Sequence, residues 1–160
     1  MIFIAVGSQL PFDRLIRYID EWAKNTDQKI IAQIGDATYM PKNMEYKKFI
    51  NNDEFNQLIH DASVFISHAG MGNIFSAKEQ KTPIIVLNRQ YKLNEIRNNH
   101  QADGLAWMAE IDGVYTASTK EELIQCLERT DLDIKDNKEQ QNTFGLSEFI
   151  ADFIQNSHLL

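Results

Sequence analysis

Short continuous apolar runs alternate along this chain with stretches whose apolar residues recur every three or four positions. The continuous runs span residues 1–6, 29–34, 63–66 and 83–87, and weaker ones span 44–50 and 114–115. Runs of this length without alternation are typical of strands buried on both faces of a parallel sheet. The order predicts an α/β domain with a mostly parallel, Rossmann-like sheet and right-handed crossovers.

The intervening stretches predict helices. Pro11 opens a stretch whose apolar positions are spaced for one helical face, and Asp53 is placed to cap a second helix. Ser118 and Glu121 have the spacing of a capping box before a later helix. We therefore expect one domain over residues 1–130, a polar linker over 131–143 and a C-terminal amphipathic helix over 144–160.

A glycine-rich turn, Ser67–Asn73, follows the third strong apolar run and precedes a helical pattern from Ile74 to Gln80. Glycines let backbone approach a ligand closely, and the first N–H groups of a helix attract anions. The spacing is neither that of a P-loop nor G-x-G-x-x-G. The turn therefore predicts an anion site, and a tight strand-to-helix turn without a ligand is the alternative.

Other strand ends carry polar groups that suit the same ligand. The Ser8 hydroxyl beside Gly7 can donate to a phosphate, His68 can donate to a diphosphate, and Asn73 can reach ligand oxygens or cap its helix. Residues 98–101, preceded by Glu95, form a hydrogen-bonding cluster suited to sugar hydroxyls. Each feature also has a purely structural interpretation, as a turn glycine, a locally satisfied histidine or a solvated helix start.

Composition narrows the class of protein. The 160 residues carry a formal net charge of −7 without a basic block, which argues against nucleic acid as a main partner. The single cysteine, Cys126, indicates a reducing compartment and no structural zinc. Asp131 and Asp133 have D-x-D spacing but follow no strand, so we interpret them as chance. Because neither a signal peptide nor a membrane-spanning run is visible, we expect a cytoplasmic protein.

Several segments together resemble a known family. Residues 1–16, 66–73, 83–88 and 98–101 are similar to the C-terminal domain of glycosyltransferase family 28, in particular to small donor-binding subunits of two-component UDP-sugar transferases. Such subunits include the catalytic subunit of the eukaryotic UDP-N-acetylglucosamine transferase of dolichol-linked glycans, and bacterial homologues in capsule and exopolysaccharide synthesis. The resemblance covers about residues 1–128.

The resemblance implies the C-terminal, donor-binding half of a GT-B glycosyltransferase. It implies an inverting transfer from a UDP-sugar to a lipid-linked glycan, without a required metal or cofactor. A separate membrane-anchored subunit would bind the acceptor and hold this chain at the membrane. That subunit would also supply the general base, so no catalytic residue is assigned on this chain. The implied donor-binding residues are Gly7, Ser8, Gly35, His68, Gly70, Met71, Gly72, Asn73, Ser76, Glu95, Asn99, His100 and Gln101.

Two departures from the family pattern bear on specificity. Asn73 stands where many relatives have serine, and Ser76 stands where several have a glutamate that binds the ribose. A non-catalytic nucleotide-binding or regulatory module of the same fold is the alternative function, because a fold alone does not define an activity. We also expect that the apolar stripe of the C-terminal helix either packs on its own domain or docks on the partner, with self-association when the partner is absent.

Overall fold

A computed structural model describes residues 1–7, 10–96 and 100–134, with side chains for all of these except 100–103. Within these ranges the strands are β1 (Ile2–Ala5), β2 (Ile30–Gln33), β3 (Glu45–Lys47), β4 (Val64–His68), β5 (Ile84–Leu87) and β6 (Val114–Ala117). The helices are α1 (Asp13–Ala23), α2 (Asn52–Asp61), α3 (Met71–Glu79), α4 (His100–Met108) and α5 (Lys120–Leu127), with a 3₁₀ turn at Tyr91–Leu93.

The strands form one parallel sheet in the order β3-β2-β1-β4-β5-β6. This confirms the predicted Rossmann-like α/β fold. The order runs outward from β1 in one direction and then reverses between β1 and β4. In open α/β sheets the crevice outside the carboxyl ends of the strands at such a reversal is where ligands bind. The fold therefore directs attention to the residues that follow β1 and β4.

Each face of the sheet has its own hydrophobic core. Alternate residues of β1 point to opposite faces, so Ile2 and Ile4 belong to one core and Phe3 and Ala5 to the other. The first core packs against α1 and α5, and the second against α2, α3 and α4. In the second core Phe3 stacks on Phe65 with ring centroids 5.3 Å apart, and Phe55 meets both rings edge-on. Because both faces are covered, the central strands are continuously apolar.

Three predicted helix starts are wrong by one to three residues. Helix α2 is capped by Asn51, whose side chain accepts from the Glu54 N–H, and Asp53 lies inside the first turn. The capping box consists of Thr119 and Glu122, one residue beyond the predicted pair. In both places several consecutive polar residues can act as an N-cap, so the sequence pattern alone does not fix which one does.

The third correction concerns the glycine turn. Helix α3 begins at Met71, three residues before the predicted start at Ile74, because Gly70 serves as the extended N-cap residue. Apolar periodicity marks where a helix becomes buried, and the first turn of α3 is only partly buried. Gly72 and Asn73 are consequently helical residues.

The C-terminal prediction is described only at its beginning. Leu132 packs against the first core, and Tyr115 Oη lies 3.2 Å from the Asp133 carbonyl oxygen. Residues 131–134 thus contact the domain. The rest of the predicted linker and the predicted C-terminal helix lie outside the described residues.

Candidate functional site

Gly7 and His68 stand side by side at the carboxyl ends of β1 and β4. A Cβ atom on Gly7 would come within 2.7 Å of His68 Cε1, and Gly7 has a φ of +84°. Gly35, which follows β2, lies against the other side of Gly7: a Cβ there would be 3.2 Å from the Gly7 carbonyl oxygen. Three of the predicted turns therefore meet, and a larger residue at Gly7 would displace the histidine.

The His68 imidazole is also covered by the backbone of the glycine turn. A Cβ on Gly70 would lie 2.5 Å from His68 Nε2, which is closer than side chains approach one another. The ring is therefore held between two glycines, one from each side of the sheet reversal. This packing is possible because neither position has a side chain. The structure therefore explains why glycine stands at both positions, which the strand-to-turn pattern alone does not.

A chain of hydrogen bonds fixes the ring and its tautomer. The Ser67 hydroxyl donates to the Ala5 carbonyl oxygen at 2.6 Å, and the Asn73 amide donates to Ser67 Oγ at 2.6 Å. The same amide nitrogen lies 3.3 Å from His68 Nδ1. Because Asn73 is a donor here, Nδ1 acts as the acceptor and the proton of a neutral ring belongs on Nε2. Asn73 thus orients His68 as well as standing in the first turn of α3.

His68 is neutral at physiological pH. Burial, and to a lesser extent the positive charge of Arg89, lower the pKa of the imidazole to about 4. The ring therefore contributes a hydrogen-bond donor to the site, and its formal charge appears only in acid.

The first turn of α3 presents its backbone beside the ring. The N–H groups of a first helical turn have no carbonyl four residues earlier in the helix, and they carry the positive end of the helix dipole. Gly72 is exposed there, and a Cβ on it would meet no atom within 4 Å. The Met71 side chain packs against the second core, and the Ser76 hydroxyl donates to the Gly72 carbonyl oxygen at 3.1 Å. Space for an anion is therefore greatest at Gly72.

Glu95 has partners within the protein. It follows β5 in the loop that leads to α4, and its carboxylate accepts from Arg14 Nε at 2.7 Å and Nη2 at 2.9 Å. The Gln90 N–H also donates to Glu95 Oε2 at 2.9 Å. Both carboxylate oxygens are thus already engaged, and direct contact between Glu95 and a sugar stays a prediction.

Arg89, which sequence analysis did not single out, is buried next to the histidine. Only 4% of the residue is exposed. Its guanidinium donates to the carbonyl oxygens of Val6 and Leu10 at 2.6 and 2.8 Å, and to those of Pro11 and Glu95 at 3.2 Å. It also lies over the Phe12 ring, 4.9 Å from the centroid. Arg89 therefore joins the loop after β1 to the loop after β5.

The remaining predicted residues divide into two groups. Ser8 and Asn99 lie outside the described residues, and His100 and Gln101 begin α4 with side chains that are not described. Nearby, Asn88 Oδ1 is buried and accepts no hydrogen bond within the described part of the chain. Among the described residues no three His, Cys, Asp or Glu side chains are grouped to hold a metal ion. Asp131 instead pairs with Arg129 at 2.9 Å.

A sequence signal for the missed arginines exists but is weak. Arg89 comes two residues after the last residue of a fully buried strand, at the end of the sheet where ligands bind. Arg14 lies off the apolar stripe of α1 and therefore has the pattern of a solvent-exposed residue.

No helix among the described residues combines the length and apolarity required to traverse a bilayer.

The fold defines the class of protein first. It is that of the C-terminal domain of GT-B glycosyltransferases, as in the glycotransferase of kitacinnamycin, at a TM-score of 0.53 and 21% identity over 79% of this chain and 33% of that chain. SnogD from Streptomyces nogalater has a TM-score of 0.52 and 18% identity over 82% of this chain and 35% of its own. The chain therefore spans about a third of the length of these two glycosyltransferases.

The family follows from the sequence. The model of the glycosyltransferase family 28 C-terminal domain matches residues 1–156, and the chain belongs to this family. The solution structure of ALG13 is similar at a TM-score of 0.59 and 18% identity, over 83% of this chain and 87% of that chain. No curated protein sequence matches the chain.

Proposed function

We propose that this chain is the donor-binding subunit of an inverting glycosyltransferase that uses a UDP-sugar. The observation that carries the proposal is the convergence of Gly7, the neutral His68 and the first turn of α3 at the sheet reversal. These groups offer N–H donors and little side-chain bulk, which suits the diphosphate of a nucleotide sugar.

The site is suited to stabilise negative charge on the leaving group of the reaction, the nucleoside diphosphate. In an inverting transfer an acceptor hydroxyl attacks the anomeric carbon, the bond from that carbon to the diphosphate oxygen breaks, and the hydroxyl proton passes to a base. Negative charge then grows on the diphosphate. The first-turn N–H groups of α3 and the Nε2–H of His68 would stabilise this charge, and the buried Arg89 adds a fixed positive charge nearby.

The second part of the proposal concerns the sugar. The predicted cluster consists of Asn99, which precedes α4, and of His100 and Gln101, which begin it. Helix α4 comes after β5 along the chain. Its amides and imidazole suit hydroxyl groups of a hexose, and the preference among hexoses would depend on them. Ser76, on the first turns of α3, is the candidate for contact with the ribose.

We infer that a separate subunit completes the enzyme. The chain matches most of ALG13 but only about a third of the two larger glycosyltransferases. The family resemblance supports a membrane-anchored partner that supplies the acceptor site and the general base, and a lipid-linked glycan of polysaccharide synthesis as acceptor. In that arrangement the chain works at the cytoplasmic face of the membrane.

Gly72→Asp tests the anion site. A Cβ at this position meets open space, so the variant should fold. Its carboxylate would lie against the diphosphate, and like charges about 4 Å apart repel by roughly 4 kcal/mol at the effective dielectric constant of a protein surface. We expect UDP affinity, measured by titration calorimetry, to fall by at least about 100-fold.

Gly72→Asn is the matched control, since it has the same shape without the charge and should bind UDP far better than the aspartate variant. GDP and TDP should bind more weakly than UDP to the wild-type protein. Retention of UDP binding by a folded Gly72→Asp variant would show that the glycine turn is not the phosphate site. Equal or absent binding of all three nucleotides would contradict the proposed function.

A further inference from the structure

The ion pair between Arg14 and Glu95 joins α1 to the loop after β5. Only 12% of the Arg14 side chain and 11% of the Glu95 side chain are exposed, and two parallel N–H···O bonds connect them. The other ion pairs of the described residues have side chains that are between 38% and 70% exposed. This pair alone among them is largely removed from solvent.

The Arg14 guanidinium also reaches two carbonyl oxygens at the same edge of the sheet. Nη2 donates to the Asn88 carbonyl oxygen at 2.6 Å, and Nη1 lies 3.4 Å from that of Ser118. Arg89 adds the carbonyl oxygens of Val6 and Leu10 from the loop after β1. Together the two arginines and Glu95 connect the segments that follow β1, β5 and β6.

Glu95 also closes the loop that contains it. The Glu95 N–H donates to the Gln90 carbonyl oxygen at 3.3 Å, while the Gln90 N–H donates back to the Glu95 carboxylate at 2.9 Å. The closed loop, residues 90–95, therefore has both ends tied together and tied to α1. Since α4 begins at His100, five residues later, the position of Glu95 limits where α4 can begin.

Energetics favour a geometric role for the pair. Removing two charges from water costs about as much as their attraction returns, so a buried pair is a weak source of net stability. A planar, two-point contact nevertheless fixes the relative position of the groups it joins. The desolvation cost of the Arg14–Glu95 pair is therefore better explained by the arrangement that the pair imposes on the loops than by a gain in stability.

We propose that Arg14, Arg89 and Glu95 are positioning residues that hold the loop after β5 at a fixed position relative to the loop after β1, so that the start of α4 is fixed relative to the glycine turn. The proposal rests on the proposed function. It assigns Glu95 an indirect role, through Arg14 and the closed loop, in place of a direct contact with the sugar. Loss of the pair should then affect the sugar more than the nucleotide.

Two variants of the full chain test this proposal. Glu95→Gln keeps the size of the side chain but removes its charge, and Arg14→Lys keeps a positive charge but lacks the two-point contact. Affinities are measured by calorimetry for UDP and for the tightest of UDP-glucose, UDP-galactose and UDP-N-acetylglucosamine. Glu21→Gln is the matched control, because Glu21 lies on α1 like Arg14 and forms an exposed ion pair with Lys120 of α5.

We expect both variants to bind the UDP-sugar at least about tenfold more weakly, with less than about a threefold change for UDP, and Glu21→Gln to change neither. A loss for Glu95→Gln that Arg14→Lys does not share would overturn the proposal, because charge would then suffice. Equal losses for UDP and UDP-sugar, or no loss, would also overturn it. Failure of the wild-type protein to bind any of the UDP compounds would refute the proposed function itself. Thermal melts show whether each variant is folded. If Glu95→Gln does not fold, the result for Arg14→Lys decides the test.

Discussion

The two sides of the candidate site are built on different principles. Around the glycine turn, small residues surround one neutral histidine, and its hydrogen bonds come from neighbours such as Asn73. The loop after β5 is instead fixed by charges, through the Arg14–Glu95 pair and the carbonyl contacts of Arg89. One side depends on the absence of side chains and the other on long side chains that reach across the fold.

This difference determines how each side tolerates change. Packing against glycine has no flexible element, so an added methyl group must move the ring or the backbone. In a charged network, removal of one member leaves its buried partner uncompensated and costs stability, whereas a substitution that conserves the charge keeps part of the contacts. We therefore expect substitutions at Gly7 and Gly70, which pack against His68, to act mainly on folding. Charge-conserving substitutions in the network should act mainly on ligand discrimination.

Gly7→Ala should produce the largest effect on stability. The new Cβ would lie 2.7 Å from His68, and the backbone has a positive φ that disfavours alanine. Left-handed backbone costs roughly 1–2 kcal/mol and overpacking roughly 1–3 kcal/mol, so we expect a loss of about 3 kcal/mol in the free energy of unfolding. Urea denaturation measures it.

Gly72→Ala is the matched comparison for this prediction. Its Cβ meets no neighbour, and alanine favours a helix over glycine by up to about 1 kcal/mol. The control should therefore be neutral or slightly stabilised. Equal stability of the two variants would contradict the packing of His68 against Gly7.

His68 should make stability depend on pH. Its folded pKa of about 4 lies below the ordinary value of 6.5, so the unfolded chain binds a proton first as pH falls. The free energy of unfolding is therefore highest above pH 6.5 and falls progressively down to pH 4. Between pH 7.5 and pH 5 the loss should be about 2 kcal/mol.

His68→Gln removes this titration while keeping a polar side chain. The difference in unfolding free energy between wild type and variant should therefore narrow by about 2 kcal/mol on going from pH 7.5 to pH 5. A difference that stays constant with pH would indicate an ordinary imidazole pKa and an exposed ring.

Ser76→Ala should have the smallest effect on folding. Its hydroxyl donates back to the Gly72 carbonyl oxygen within the helix, and such bonds add little stability. We expect a change below about 0.5 kcal/mol in unfolding free energy, together with UDP affinity reduced several-fold if the hydroxyl binds the ribose. An unchanged affinity for UDP would remove Ser76 from the site.

Sequence reasoning reached the sheet and the glycine turn because both depend on local patterns. Apolar runs mark strands buried on two faces, and Gly70 and Gly72 mark a turn without side chains. The helix starts at Asn51 and Thr119 were missed by one or two positions because adjacent polar residues offer equivalent caps.

The charged network was beyond local patterns. Arg14 and Glu95 are 81 residues apart, and nothing in the spacing of either residue shows that the other is near. Charged residues are usually solvated, so their burial appears only once the strands are ordered in the sheet. The same holds for Arg89, because its carbonyl partners Val6, Leu10 and Pro11 lie 78 to 83 residues earlier in the sequence.

These long separations also have a kinetic consequence. Ser67 reaches back to Ala5 across 62 residues, and Arg89 reaches Val6 across 83. Entropy opposes the closure of such loops until β4 and β5 have joined β1, whereas contacts between α1 and the turn after β2, such as Asp20 with Tyr39, span only 19 residues. The first βαβ unit can therefore assemble early on a folding chain, and the capacity to bind a ligand should appear as one of the last events of folding.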